Sequence, residues 1–219
     1  MLRSSLGLVI FAAMVLVPAG SLRFWQGWML VALIVIPYLS SFVYFYKHDP
    51  QVLERRMQSK EKVGEQKLLM RLATPVFFTA ILLPGLDYRM GWSRDLLSAL
   101  PLWLSMLSQG LVLSGLILMF WVMKVNSFAS RTIQVEAGQP VISTGPYALV
   151  RHPMYSGALL MGLFTPLALG SYLAWPVFAL LIPFYVLRLL NEERVLRQEL
   201  PGYAEYCLRT RCRLVPFVW

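Results

Sequence analysis

Charge is almost absent from six stretches of this chain, 5–19, 24–46, 68–86, 96–123, 155–169 and 172–190, and polar residues collect in the gaps between them. A helix needs about 20 mostly apolar residues to cross the hydrocarbon of a bilayer. The second, third and fourth stretches meet that length comfortably. The first and fifth are short, which suits a helix with little tilt or one arm of a re-entrant hairpin. The pattern predicts an all-α, polytopic membrane bundle of five to six transmembrane helices. The first stretch also has the look of a secretory leader, with Arg3 ahead of it and Ala19-Gly20-Ser21 behind it. Because Arg23-Phe-Trp-Gln-Gly-Trp28 runs at once into a second strong span, the expectation is a retained helical hairpin.

The gaps differ in character. Residues 47–67 form a charged loop in which Asp49 and Pro50 suit the cap and first turn of a short interfacial helix over 52–57. Its basic side chains are expected to be solvated, their stems snorkelling along apolar surface. Within the fourth stretch Gly110 and Ser114, four apart, predict a close helix contact. Near Lys124 the hydropathy collapses for the rest of 124–151, with Gly138, Pro140, Gly145 and Pro146 as breakers. Loops of this length are usually functional. The chain therefore divides by composition into 1–123, a set of transmembrane helices, and 124–219, a polar loop, a helical hairpin and a C-terminal segment, within one structural domain.

Composition agrees with the membrane reading: 58% of the 219 residues are hydrophobic and 14% charged. If all six stretches cross and the N-terminus faces the cytoplasm, 17 of the 20 Lys and Arg fall on the inner side, as the positive-inside rule requires. That asymmetry accounts for most of the +9 net charge, so no nucleic-acid partner is needed. Both termini are then cytoplasmic. Cys207 and Cys212 lie in a compartment where disulfides are rare. With His48 and His152 far apart, no familiar metal-ligand spacing exists and no metal is expected.

Chemistry concentrates in two blocks, Ser143-Thr-Gly-Pro-Tyr-Ala-Leu-Val-Arg-His-Pro-Met-Tyr-Ser-Gly157 and Asn191-Glu-Glu-Arg194 with Pro201-Gly-Tyr-Ala-Glu-Tyr206. Pro153 suits the first position of a helix and holds His152 out of it. Arg151 and His152 then sit at a helix N-terminus, a place that favours an anion. Glu193 and Arg197, spaced i,i+4, offer the plain alternative of a surface pair. Tyr203 and Tyr206 offer that of interface anchors. A ligand matching all these groups is S-adenosylmethionine, with its aminocarboxylate, ribose diol and sulfonium cation. Methyl transfer needs mainly in-line placement and no strong base when the acceptor is a carboxylate or thiolate.

The motifs Thr144-Gly-Pro-Tyr-Ala-Leu-Val-Arg-His-Pro-Met-Tyr-Ser-Gly157, Asn191-Glu-Glu-Arg194, Gly202-Tyr-Ala-Glu-Tyr206 and Arg213-Leu-Val-Pro216, in that order, resemble the isoprenylcysteine carboxyl methyltransferase family, part of a wider group with phospholipid methyltransferases. The resemblance covers the C-terminal part of the chain. The segment Asp49-Pro-Gln-Val-Leu-Glu-Arg-Arg56 looks like one found in bacterial relatives. It implies a bacterial member in the inner membrane, with a cytoplasmic C-terminal region that binds S-adenosylmethionine. Val141, Tyr147, His152, Pro153, Tyr155, Glu193 and Tyr203 would enclose the cofactor, and Arg151 and Glu192 would serve catalysis, Arg151 by orienting an acceptor carboxylate. The implied acceptor is a membrane-embedded or amphiphilic molecule, a lipid or a prenylated small molecule, with the carboxylate of an isoprenylcysteine-like substrate first.

Two other readings compete. Membrane sterol reductases resemble this group in their C-terminal halves and use NADPH. A transporter would carry charges inside its spans, and here they sit near the ends, as Arg71 and Arg188 do, where they can snorkel.

Overall fold

A computed structural model describes residues 2–57, 64–130 and 132–219. The part of the charged loop at 58–63, including Lys60 and Lys62 of the charge count, lies outside the described residues, as do Arg131 and the side chain of Arg3. Among the described residues ten α-helices follow in order: α1 Leu2–Leu16, α2 Trp25–His48, α3 Pro50–Met57, α4 Gly64–Met90, α5 Trp92–Leu97, α6 Leu102–Val125, α7 Pro153–Ala168, α8 Ala174–Ala179, α9 Leu181–Glu199 and α10 Tyr203–Arg209. A 3-10 turn spans Gly145–Ala148, and the described residues contain no strand.

Among the described residues four helical stretches are long and apolar enough to cross a membrane: Trp25–His48, Gln66–Met90, Leu102–Val125 and Ala174–Glu199. At most 28% of any of these spans is buried by the rest of the chain, so most of their apolar surface faces outward, as it does in a lipid-facing helix. The protein is an all-helical integral membrane protein. The sixth apolar stretch makes α8 and α9, while the first and fifth make the shorter α1 and α7 of 15 and 16 residues. Pro37, Pro75, Pro84 and Pro166 lie inside helices that continue through them, a tolerance typical of membrane helices.

The chain forms two compact units. The first comprises Met1–Leu39, Leu72–Ser114 and Leu160–Ile182. Its core includes Val15, Phe24, Leu30, Ile81, Val112 and Leu169. A buried carboxylate, Asp87, accepts hydrogen bonds from the Ser93 backbone N–H at 2.7 Å and from the hydroxyls of Ser93 and Ser171. Ser93 Oγ in turn accepts from the Tyr172 and Leu173 N–H groups. One acid thus fastens the start of α5 to the turn before α8, and its burial is offset by charge-assisted bonds. The close contact expected at Gly110 and Ser114 does not form: a Cβ on Gly110 would meet open space, and the Ser114 hydroxyl bonds back to the Gly110 carbonyl at 2.9 Å.

The second unit comprises Ser40–Arg71, Gly115–Leu159 and Pro183–Trp219, and it holds every candidate site residue. Here the close backbone approach is found one residue further on. A Cβ on Gly157 would lie 2.9 Å from the Gly115 carbonyl oxygen and 2.9 Å from Met119 Cγ, so α7 leaves its polar start packed directly on α6. The short helix α3 forms as expected, with Val52 fully buried. Its Arg55 departs from the solvated state expected for it. The guanidinium is 12% exposed, pairs with Glu136 and lies 4.5 Å over the Phe128 ring. His48 is taken up locally, stacked on Tyr44 with its ring nitrogen 2.9 Å from the Tyr44 carbonyl oxygen.

Candidate active site

Pro153 opens α7, as its fixed φ and missing N–H predict. The two residues before it run alongside the segment after α10: Arg151 N–H donates to the Cys212 carbonyl and His152 N–H to the Arg213 carbonyl, both at 2.9 Å. Ser156 Oγ adds a bond to the Leu214 carbonyl at 2.6 Å. The Arg151 and His152 N–H groups just ahead of the helix are therefore spent within the chain. Positive-φ Gly202 begins α10, and Tyr206 on it donates to the Tyr147 carbonyl at 2.7 Å. Leu200, Tyr203 and Tyr206 pack with Val141, Tyr147 and Leu196 into one cluster. The 144–157 and 202–206 motifs are brought together by that cluster.

Behind it lies a buried ionic node. Glu193 Oε1 is 2.9 Å from Arg151 Nη1 and 3.4 Å from His152 Nε2, and Glu193 Oε2 accepts from Arg213 Nε at 3.1 Å. Arg151 Nη2 also donates to the Arg211 carbonyl. The surface pairing of Glu193 with Arg197 is replaced by this interior set, which draws on three separated motifs. The Arg213 guanidinium lies 5.1 Å from the Trp219 ring, so the last residues brace the node from outside.

In front of the node is a cavity of about 420 Å³, within the range of small-molecule sites. Eight of the nine residues singled out from sequence line it: Val141, Tyr147, Arg151, His152, Pro153, Tyr155, Glu192 and Tyr203. Glu193 alone is set back from the lining. Its neighbour Glu192 faces the cavity and accepts from the Tyr155 hydroxyl at 2.7 Å, with His152 Nδ1 3.9 Å away. Tyr203 OH stands 3.4 Å from His152 Nε2. Burial pushes the Tyr147 hydroxyl up to about 12, against the opposing hydrogen bond from Asn126, and raises Tyr203 and Tyr206 as well. These rings stay neutral in any ordinary buffer and act as donors and apolar faces.

Sequence reasoning missed several lining groups. Asn126 donates to Tyr147 OH at 2.8 Å. Arg56, Tyr185 and Arg188 also line the cavity, and Arg188 donates to Gln66 Oε1 at 3.0 Å instead of snorkelling at a span end. Arg188 carried a legible signal, since it stands one helical turn before Glu192. Arg56 carried none, because nothing local in sequence ties α3 to this cavity.

Fold and site together define an integral membrane protein with a polar, aromatic ligand cavity. The model of the phospholipid methyltransferase family matches residues 103–201, so this part of the chain is similar to the wider group that the isoprenylcysteine carboxyl methyltransferase motifs resemble. The Delta(14)-sterol reductase TM7SF2 of Mus musculus is 35% identical over 92 residues, which are 40% of this chain and 22% of that protein. The chain thus spans less than a quarter of the length of the curated relative it matches. A solved structure of the eukaryotic intramembrane Ras methyltransferase, isoprenylcysteine carboxyl methyltransferase, aligns with 89% of this chain and 74% of its own at 16% identity and a TM-score of 0.49.

Proposed function

We propose that this protein is an S-adenosylmethionine-dependent methyltransferase acting on a membrane-embedded or amphiphilic acceptor, with the carboxylate of an isoprenylcysteine-like molecule as the first candidate. The observation that carries the reading is one cavity lined from three separated motif segments, with one carboxylate, several neutral tyrosines and three arginines in its wall. The donor set suits the cofactor. Glu192 can take a diol or an ammonium group, the Tyr147, Tyr155 and Tyr203 rings offer faces to a sulfonium and an adenine, and His152 offers a hydrogen bond. Bound S-adenosylmethionine would supply an electrophilic methyl group.

The chain's own residues then bind and orient. His152 and Tyr203 are held by the Glu193 node, and Glu192 is held by Tyr155. Arg151 has its Nη1 committed to Glu193 and a bond to the Arg211 carbonyl, so we assign it to holding this wall, and the acceptor carboxylate to Arg188. In this reading the cavity lies on the cytoplasmic side of a bacterial inner membrane, the side to which the basic residues assign it.

A second reading has a specific basis in the 35% identity to a sterol reductase segment: a reductase in which Arg56 and Arg188 take phosphates of NADPH. Calorimetry on purified protein separates the two. Saturable binding of S-adenosylhomocysteine without NADPH supports methyl transfer, and binding of NADPH alone overturns it. Labelled-methyl transfer to a membrane lipid extract, followed by identification of the product, then tests the acceptor class.

A further inference from the structure

The described residues of 126–142 contribute much of the cavity wall, among them Asn126, Phe128, Ile133 and Val141, yet these described residues contain no regular structure. At its ends the loop is tied by the Asn126 bond to Tyr147 OH and by Val135 and Val141 against the Leu200, Tyr203 and Tyr206 cluster, and several of its backbone bonds are local. Ala129 N–H reaches the Asn126 carbonyl, Gln139 N–H the Glu136 carbonyl, and Glu136 N–H the Gln139 side chain, each at 3.1 Å. Such contacts fold a loop on itself without fixing where it lies.

A further anchor comes from a remote helix. Arg55 on α3 grips Glu136 with a two-pronged fork, Nε to Oε1 at 2.9 Å and Nη2 to Oε2 at 2.8 Å. Its remaining arm donates to the Ser127 carbonyl at 2.8 Å, and its plane covers Phe128 at 4.5 Å. The Arg55 carbonyl accepts from Ser130 Oγ at 3.4 Å. One side chain therefore spans the loop from Ser127 to Glu136, and α3 is itself set by fully buried Val52. An exposed ion pair would be worth little. This one is largely withdrawn from water, bidentate, and completed by a carbonyl and a ring, which is the arrangement in which Arg cannot be exchanged for Lys.

We propose that Arg55 is a positioning residue that latches the 126–142 loop as a wall of the ligand cavity and so sets the affinity of the site, without touching the ligand. The affinity arm of the test rests on the methyltransferase reading, and the exchange arm does not. In ligand-free purified protein, Arg55→Ala should accelerate amide hydrogen exchange of the described residues between 127 and 141 at least tenfold, leaving α7 and α9 unchanged. The dissociation constant for S-adenosylhomocysteine should rise at least tenfold. Arg55→Lys should behave closer to Arg55→Ala than to the parent. Glu136→Gln should show the same two changes, and it decides the matter should Arg55→Ala fail to fold. The charge-swapped pair Arg55→Glu with Glu136→Arg should recover at least threefold of the affinity lost in Arg55→Glu alone. Unchanged exchange in this loop, acceleration spread over all helices, or an Arg55→Lys variant equal to the parent would each overturn the latch. If the parent protein binds no S-adenosylhomocysteine, the methyltransferase reading falls while the exchange comparison still judges the latch.

Discussion

Arg151 Nη1 lies 2.9 Å from Glu193 Oε1, with both side chains more than nine-tenths buried. Two charges taken out of water depend on each other. Removing one leaves the other without compensation, at a cost of about 3–5 kcal/mol. Glu193→Ala should therefore lower stability by about 3 kcal/mol or more, since it strands Arg151 and also frees Arg213. Arg151→Met combined with Glu193→Leu should restore much of that loss. A double-mutant cycle of unfolding in detergent measures the coupling, and additive single effects would show that the two charges do not depend on each other.

Glu192 makes the opposite case. It is partly exposed and faces the cavity, bonded to Tyr155. Glu192→Gln should weaken S-adenosylhomocysteine binding at least tenfold while leaving the unfolding midpoint within a degree or two. Calorimetry beside a thermal melt reads both. A variant with lower stability and unchanged affinity would make Glu192 a structural residue and remove it from the proposed site.

The gap between these neighbouring acids shows what was legible in the sequence. Runs of apolar residues and Pro153 as a helix start follow from local rules, and the structure has them where they were read. The clustering of polar groups near 151 and 192 was legible for the same reason. Which acid faces the cavity was not. A one-residue step turns a helix by about 100°, and only the partners Arg213 and Arg151 on other segments fix the rotation. Arg55 was misread on similar grounds, because its partner Glu136 lies in a loop without periodicity.

Helix contact gives a contrasting pair of variants. Gly157→Ala places a methyl group 2.9 Å from the Gly115 carbonyl oxygen, closer than packed atoms allow, whereas Gly110→Ala meets open space. The first should destabilise by about 1–3 kcal/mol through overpacking. The second should be neutral or slightly stabilising, since Ala favours helix over Gly. Melting temperatures of both in the same detergent check the order, and equal values would contradict the contact.

Alkaline pH should act through the buried tyrosines. Tyr147 is raised by burial to about 12 in the folded protein, against about 10 in an unfolded chain. The folded state then holds a proton that the unfolded chain releases, so its contribution is intact below about pH 10 and is lost as pH climbs toward 12. Between pH 8 and 11 the parent should lose about 1.4 kcal/mol more stability than Tyr147→Phe, corresponding to about one pH unit of linkage. Parallel denaturation curves at the two pH values give the difference. Equal losses in the two proteins would mean that Tyr147 titrates normally.

The pairing of Arg151 and His152 with the Cys212 and Arg213 carbonyls has a temporal meaning. During synthesis α7 is complete long before residue 213 leaves the ribosome, so the growing polypeptide has a helix entrance with nothing beside it. The wall at the start of α7 is therefore completed only when residues 212–214 come alongside it.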